Sequence, residues 1–362
     1  MAAYRKAQTK NVAKLRVSVM FRFSPNQHHY RFKKENIEKI ASAISQSTFP
    51  SHRLISTQTG LSLTTVGNAV KALRETGIMY ENFTTLPDEQ KTCGHLLFHE
   101  DIHHIVIDIT TPEFSMWTVN SKLSDSSVFR YIYNPNFSEK DNLRIFFERG
   151  RAHLETRVRY FCGIVLITAD GSMFTKERAS DLYRPDEYRP FISDCIKTDF
   201  SQNADCVVTF GKASEYFILS DNCRKYRNHR IYYIFIGKNI ISCCVDNGRH
   251  IFTCFPHDTT SFNNDVFGHG ESSDIRSVTD NLTSLIDHAD TVIAPDTVFI
   301  DSDQFVFDSA MGKQLQKNID RINNRAPRII IYRSKPPLFI KGASLLLRKK
   351  LIENFLASSS DC

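Results

Sequence analysis

Apolar positions along this chain follow first a helical period and then a strand period. Ile37, Ile40, Ala41 and Ile44 fall at i, i+3, i+4 and i+7, which predicts an amphipathic helix beginning near Lys34 or Glu35. Phe49-Pro50 breaks that run, and Ser51 is placed to cap a short helix through Leu54 and Ile55 that stops near Gly60. Ser62 caps a third helix, Ser62 to Thr76, in which Val66, Ala69, Val70 and Leu73 repeat the spacing and Gly77 is the left-handed stop. The opposite face of that helix gathers Thr64, Asn68, Lys71 and Glu75. Ile78 to Phe83 and Leu96 to His99 then read as two strands joined by Thr84-Thr85-Leu86-Pro87-Asp88-Glu89, a wing whose acidic tip leaves phosphate contact to Lys91 or to nothing.

From His103 onward strands dominate: His104 to Ile109, Phe114 to Val119 and Val128 to Tyr133, then a helix from Ser138 to Arg157 and a strand Phe161 to Thr168 closed by Ala169-Asp170-Gly171-Ser172. A second set repeats this order. It runs through Cys206 to Thr209, a helix Lys212 to Leu219, a hairpin of Arg230 to Ile236 and Ile240 to Asp246, the turn Asn247-Gly248, and Ile251 to Phe255. A helix Ser277 to Ala289, a strand Thr297 to Ile300, a helix Gly312 to Asn323, a strand Ile329 to Tyr332 and a last helix Gly342 to Leu356 complete it. Strands alternating with crossover helices imply an α/β domain with layered sheets.

At 362 residues, 41% hydrophobic and 24% charged, the chain is long enough for two domains and has the balance of a globular protein. No stretch approaches the ~18 apolar residues of a membrane span, the best candidates being Phe161 to Ala169 and Ile231 to Gly237. The nine cysteines are odd in number, form no CxxC pair and mostly sit in apolar runs, which suits reduced core thiols and a cytoplasmic location. Residues 1 to 34 hold nine Lys/Arg and no Asp or Glu; residues 1 to 90 hold 13 basic against 6 acidic, and the rest 33 against 34. A mitochondrial transit peptide also starts this way, but Tyr4, Phe21, Phe23, Tyr30 and Phe32, and the helices that follow, argue otherwise.

Helix, helix, Gly-containing turn, helix is a helix-turn-helix arrangement. The run Gly60-Leu61-Ser62-Leu63-Thr64-Thr65-Val66-Gly67-Asn68-Ala69-Val70-Lys71-Ala72-Leu73-Arg74-Glu75-Thr76-Gly77-Ile78 resembles winged-helix bacterial regulators. The resemblance makes Ser62 to Thr76 the recognition helix and double-stranded DNA the partner. The residue types agree. Hydroxyls of Ser62, Thr64 and Thr65 at the helix start suit phosphates, Asn68 suits adenine, Lys71 suits guanine or backbone, and Arg53 on the preceding helix joins them. A three-helix module can also bind protein or merely pack on its neighbour; basic charge in the same quarter of the chain favours DNA.

A winged helix followed by this order of elements resembles the ROK family of repressors and sugar kinases. The signs are Val106-Ile107-Asp108, Ile234-Phe235-Ile236-Gly237 with its hairpin and Asn247-Gly248, Ala294-Pro295-Asp296-Thr297-Val298-Phe299-Ile300, and Gly342-Ala343-Ser344 read as opening the last helix. The resemblance implies an actin-like, sugar-kinase (ribonuclease H-like) two-lobed α/β domain over residues 103–358, after a basic arm at 1–34 and a winged helix at 35–98. Its kinase motifs are eroded. Thr110-Thr111-Pro112 stands where the family has a Gly-Gly-Thr phosphate turn, Lys238-Asn239-Ile240 follows Gly237, and Asp301-Ser302 replaces a Gly-Gly pair. The family's general base aligns near Val208-Thr209-Phe210-Gly211-Lys212, where no carboxylate occurs between Val207 and Ser214. The family's zinc loop would fall between Gly248 and Ser277, which offers only Cys254, with His257 or Gly268-His269 as the nearest match to a sugar-binding Gly-His. His95, His99, His103 and His104 lack an acidic or thiol partner in a defined motif, which weighs against a metal site.

The resemblance, together with these residues, predicts a DNA-binding transcriptional regulator of the repressor type, not an enzyme, without metal or cofactor and without membrane contact. It would be a homodimer or higher homo-oligomer that responds to a sugar-like small molecule. An active sugar kinase with an appended DNA-binding domain and a protein-interaction scaffold are the competing readings, and the missing phosphate glycines and base count against the first.

Overall fold

A computed structural model describes residues 32–358, apart from 49, 76–78, 86–91, 99–101, 112, 125, 158–159, 169–205, 238–239, 255–274, 304–306, 308, 323–324 and 334. The basic arm up to residue 31, Gly77, the wing tip with Lys91, Pro112, the turn after Thr168, Lys238-Asn239, His257 and Gly268-His269 therefore lie outside the described residues.

Three helices lead: α1 (Lys34–Gln46), α2 (His52–Thr59) and α3 (Leu63–Glu75). The hydroxyl of Ser51 caps α2 by accepting from Leu54 N at 3.2 Å, and Gly60 ends it at φ 71°, a conformation that costs a glycine nothing. Two antiparallel strands follow, β1 (Met79–Thr85) and β2 (Thr92–Phe98), in the register Met79 to Phe98. They extend further toward the tip than the predicted strands.

Two five-stranded sheets with one topology form the rest. The first contains β3 (Ile102–Asp108), β4 (Glu113–Asn120), β5 (Ser126–Ile132), β6 (Tyr160–Thr168) and β7 (Cys206–Thr209), in the order β5-β4-β3-β6-β7, with α4 (Glu139–Arg157) between β5 and β6. The second contains β8 (Arg230–Ile236), β9 (Ile240–Asp246), β10 (Arg249–Cys254), β11 (Thr297–Ser302) and β12 (Arg328–Tyr332), in the order β10-β9-β8-β11-β12. In each, the first three strands form an antiparallel meander and the last two join it parallel. The β9–β10 turn places Asn247 at φ 48° and Gly248 at φ 71°, the two left-handed residues of a tight hairpin. Helices α6 (Ile275–Ile293) and α7 (Ser309–Ile322) serve the second sheet, α5 (Phe210–Leu219) follows β7, and α8 (Leu338–Ser358) follows β12.

Helix α8 begins at Leu338, so Gly342 lies inside it and does not open it. The reason is a helix crossing. A Cβ on Gly342 would stand 1.8 Å from the Ala213 carbonyl oxygen on α5, so only glycine permits the approach. Most of α8 is buried, as expected of a helix apolar on nearly every side, and it touches α1, α3, α5, β3 and β6. One hydrophobic core accordingly runs from Ile40, Ile44, Val66 and Leu73 of the N-terminal helices into Leu351, Ile352 and Phe355 of α8 and on to Val106 and Phe299 of the two sheets. No helix among the described residues is long and apolar enough to cross a membrane.

Candidate nucleic-acid interface

Helix α3 is held by its apolar stripe. Val66, Ala69, Val70 and Leu73 are all buried, which turns Thr64, Asn68, Lys71 and Glu75 outward, all exposed. Ser62 sits just before the helix, and its Oγ accepts from Thr65 N at 3.1 Å and meets Thr65 Oγ1 at 3.0 Å. Both hydroxyls are therefore engaged in capping α3. Arg53 is exposed on α2, one helix away. Arg74 and His52 reach Glu81 of β1, at 2.7 and 3.3 Å, and fasten both α2 and α3 to the wing.

Two residues of this surface escaped the sequence reading. Leu63 is 58% exposed at the first turn of α3, where an apolar side chain suits a thymine methyl. Gly67 stands between Thr64 and Asn68 with nothing within 4 Å of where its Cβ would be, so a nucleic-acid backbone could approach α3 closely there. The signal for both was in the sequence: an apolar residue and a glycine outside the buried stripe.

A small polar space lies between the two lobes. The residues there, among them Asp108, Glu113, Arg130, Gly237 and Asp303, enclose a space of only about 20 Å³. Arg130 Nη2 lies 2.5 Å from Asp303 Oδ2, and its Nε is 3.7 Å from Glu113. Asp108 turns back on its own loop, accepting from Thr110 N at 2.9 Å and Thr110 Oγ1 at 2.6 Å, and burial pushes its carboxyl up to about 6. Asp301 accepts from Leu338 N at 2.7 Å and Tyr233 Oη at 3.2 Å, so a carboxyl occupies the first turn of α8; burial pushes it up to about 7. Where the resemblance puts the general base, Phe210 is fully buried, stacked on Tyr233 at 5.7 Å and packed on Phe339 at 4.9 Å.

His104 is fully buried, with neither ring nitrogen hydrogen-bonded, and burial lowers its pKa well below the usual range, with Arg348 and His103 adding to that. It is a neutral core imidazole. No group of three or more His, Cys, Asp or Glu among the described residues could hold a metal ion.

Three helices and a two-stranded antiparallel sheet thus precede two five-stranded sheets that share one strand order, 3-2-1-4-5. No protein-family model matches the sequence, and no curated protein is significantly similar to it. Among solved structures, a ROK family transcriptional regulator, described as a homologue of the E. coli MLC protein, superposes on 90% of this chain and 99% of its own, with a TM-score of 0.56 at 11% identity. A ROK family glucokinase from Streptomyces griseus, solved with glucose and AMPPNP, covers 67% of this chain and 98% of its own, with a TM-score of 0.43 at 10% identity. A ROK hexokinase from Thermus thermophilus covers 67% and 97%, with a TM-score of 0.40 at 12% identity. The chain has the fold of the first of these over 90% of its length.

Proposed function

We propose that this chain is a ROK-type, sequence-specific DNA-binding transcriptional regulator of the repressor class, whose actin-like part is a sensing and pairing domain and not a kinase. The observation that carries the reading is the outward face of α3, where Thr64, Asn68 and Lys71 stand exposed beside an open Gly67 on a helix locked into the core by its other side. Asn68 is the adenine reader, Lys71 the guanine or phosphate contact, and Arg53 with the α3 N-terminus the phosphate anchor. A single recognition helix offers few base contacts, which is why pairing of two copies, each on a half-site, belongs to the reading. The missing phosphate-loop glycines at Thr110-Thr111 and Asp301-Ser302, and the absence of a carboxylate between Val207 and Ser214, support the non-kinase part.

Selection from random duplex oligonucleotides with the purified full chain tests it. A recurrent motif of two half-sites, whose binding weakens steeply with salt, is the expected result. No enrichment over many rounds would overturn it in favour of a protein-binding module.

A further inference from the structure

We propose that the cavity at the junction of the winged helix and the actin-like lobes is a binding site for a small organic anion, a phosphate or carboxylate on a partly apolar body, whose occupancy governs the DNA-reading module. The control of DNA binding rests on the regulator reading; the existence of the site does not.

The cavity encloses about 540 Å³, within the ~300–1,000 Å³ of typical small-molecule pockets. Its walls come from the end of α1, strands β1 and β2, the β4–β5 turn of the first lobe, and α8. Its charge is one-sided. Lys122 lines it from the β4–β5 turn and Lys341 and Arg348 from one face of α8, seven residues apart, while no carboxylate lines it among the described residues. Arg348 is buried with its guanidinium 5.0 Å over the ring of Phe98, and Lys341 Nζ lies 5.9 Å over that of Tyr332. Three cations on one wall, Arg348 buried, Lys341 half-buried and Lys122 exposed at the mouth, make a favourable place for an anion.

The rest of the wall is as specific. Ser45, Ser47, Thr48, Ser121 and Ser124 present hydroxyls. The Oγ of Ser47 is buried without a hydrogen-bond partner, although the residue is only 6% exposed and lines the space, so a ligand oxygen or amide would satisfy a group the fold leaves unsatisfied. Phe98, Phe217 and Tyr332 supply ring faces for an apolar body. At the edge of the same space Ser45 Oγ meets Tyr216 Oη at 2.8 Å, a bond from α1 to α5 that ties the winged helix to the lobes. A molecule bridging α1, the wing and α8 favours one setting of α3 relative to the lobes, and through it one DNA affinity.

The test uses the full chain. Calorimetry and thermal unfolding are run with inorganic phosphate, citrate, adenosine 5′-monophosphate and glucose 6-phosphate, against adenosine and glucose as neutral controls. The expected result is saturable binding and a raised Tm with at least one organic anion, absent with its neutral counterpart and weakened at least tenfold in Lys122→Gln and Lys341→Gln. Lys122 is exposed on a turn, so its variant folds even if the other does not. No saturable response in the wild-type chain, or an equal response in Lys122→Gln, overturns the site. A bound anion that leaves the affinity for a selected operator unchanged overturns the control, whereas a fivefold or larger change supports it. If no sequence is bound at all, the regulator reading falls while the anion titration still decides the site.

Discussion

Arg130 of β5 and Asp303, just past β11, meet across the interlobe space at 2.5 Å, 173 residues apart in sequence. Asp303 is mostly buried and its carboxyl is nevertheless held above the usual range, burial outweighing the opposing pull of Arg130. Beside this bridge, Thr110-Thr111 and Asp301-Ser302 stand where the resemblance puts the glycines of phosphate loops. Calorimetry with Mg-ATP is therefore expected to show no micromolar binding, and a sugar panel no phosphate transfer. Tight ATP binding with sugar-dependent turnover would reverse the non-kinase reading.

On the DNA side, Asn68→Ala should weaken binding to a selected operator by about 1–3 kcal/mol at one base position, while Lys71→Ala lowers affinity for all sequences alike if its contact is to phosphate. Asn68 is exposed, so its truncation should leave thermal stability within about 0.5 kcal/mol of the wild type. Gel-shift titrations on operator and scrambled DNA separate the two effects. If both variants bind as the wild type does, another surface reads the DNA.

What the sequence made legible was local. Stripes such as Val66, Ala69, Val70 and Leu73, the Ser51 cap and the Asn247-Gly248 turn are set by neighbours within a few residues, and the structure has each of them. The two junctions on which function turns are assembled from afar. Arg130 and Asp303 carry no periodicity that pairs them, and Lys122 and Arg348 reach one cavity only because α8 lies between the winged helix and the lobes. Gly342 was read, from the resemblance, as opening the last helix; its partner, Ala213 on α5, is invisible until the two helices cross.

That crossing gives a stability prediction. Gly342→Ala sets a methyl carbon against the Ala213 carbonyl oxygen, a backbone atom that cannot swing aside, so α8 must shift away from α5. Because α8 is also the seat of the winged helix, the variant should lose about 1–3 kcal/mol or more and bind operator more weakly. Denaturant unfolding checks the first and a DNA titration the second. A variant as stable as the wild type would mean that the two helices do not approach this closely.

The last prediction concerns pH. Asp301 has a folded pKa of about 7 against 3.8 as its ordinary value, chiefly through burial, with the hydrogen bonds from Leu338 N and Tyr233 Oη opposing the rise. A carboxyl whose folded pKa is raised holds its proton more tightly when folded than when unfolded. Its contribution to stability is thus complete below about pH 4 and is lost progressively as pH rises toward 7. Asp108, raised to about 6 by burial, acts in the same direction over a narrower window. Asp301→Asn removes the ionisation while keeping an oxygen to accept from Leu338 N. Its stability relative to the wild type should therefore improve between pH 5 and pH 8, by an amount on the order of 1–3 kcal/mol. Urea unfolding of both proteins at the two pH values measures it. A difference that stays constant or shrinks toward pH 8 would show that Asp301 is ionised in the folded chain at both, stabilised by its donors and not resisted by its burial.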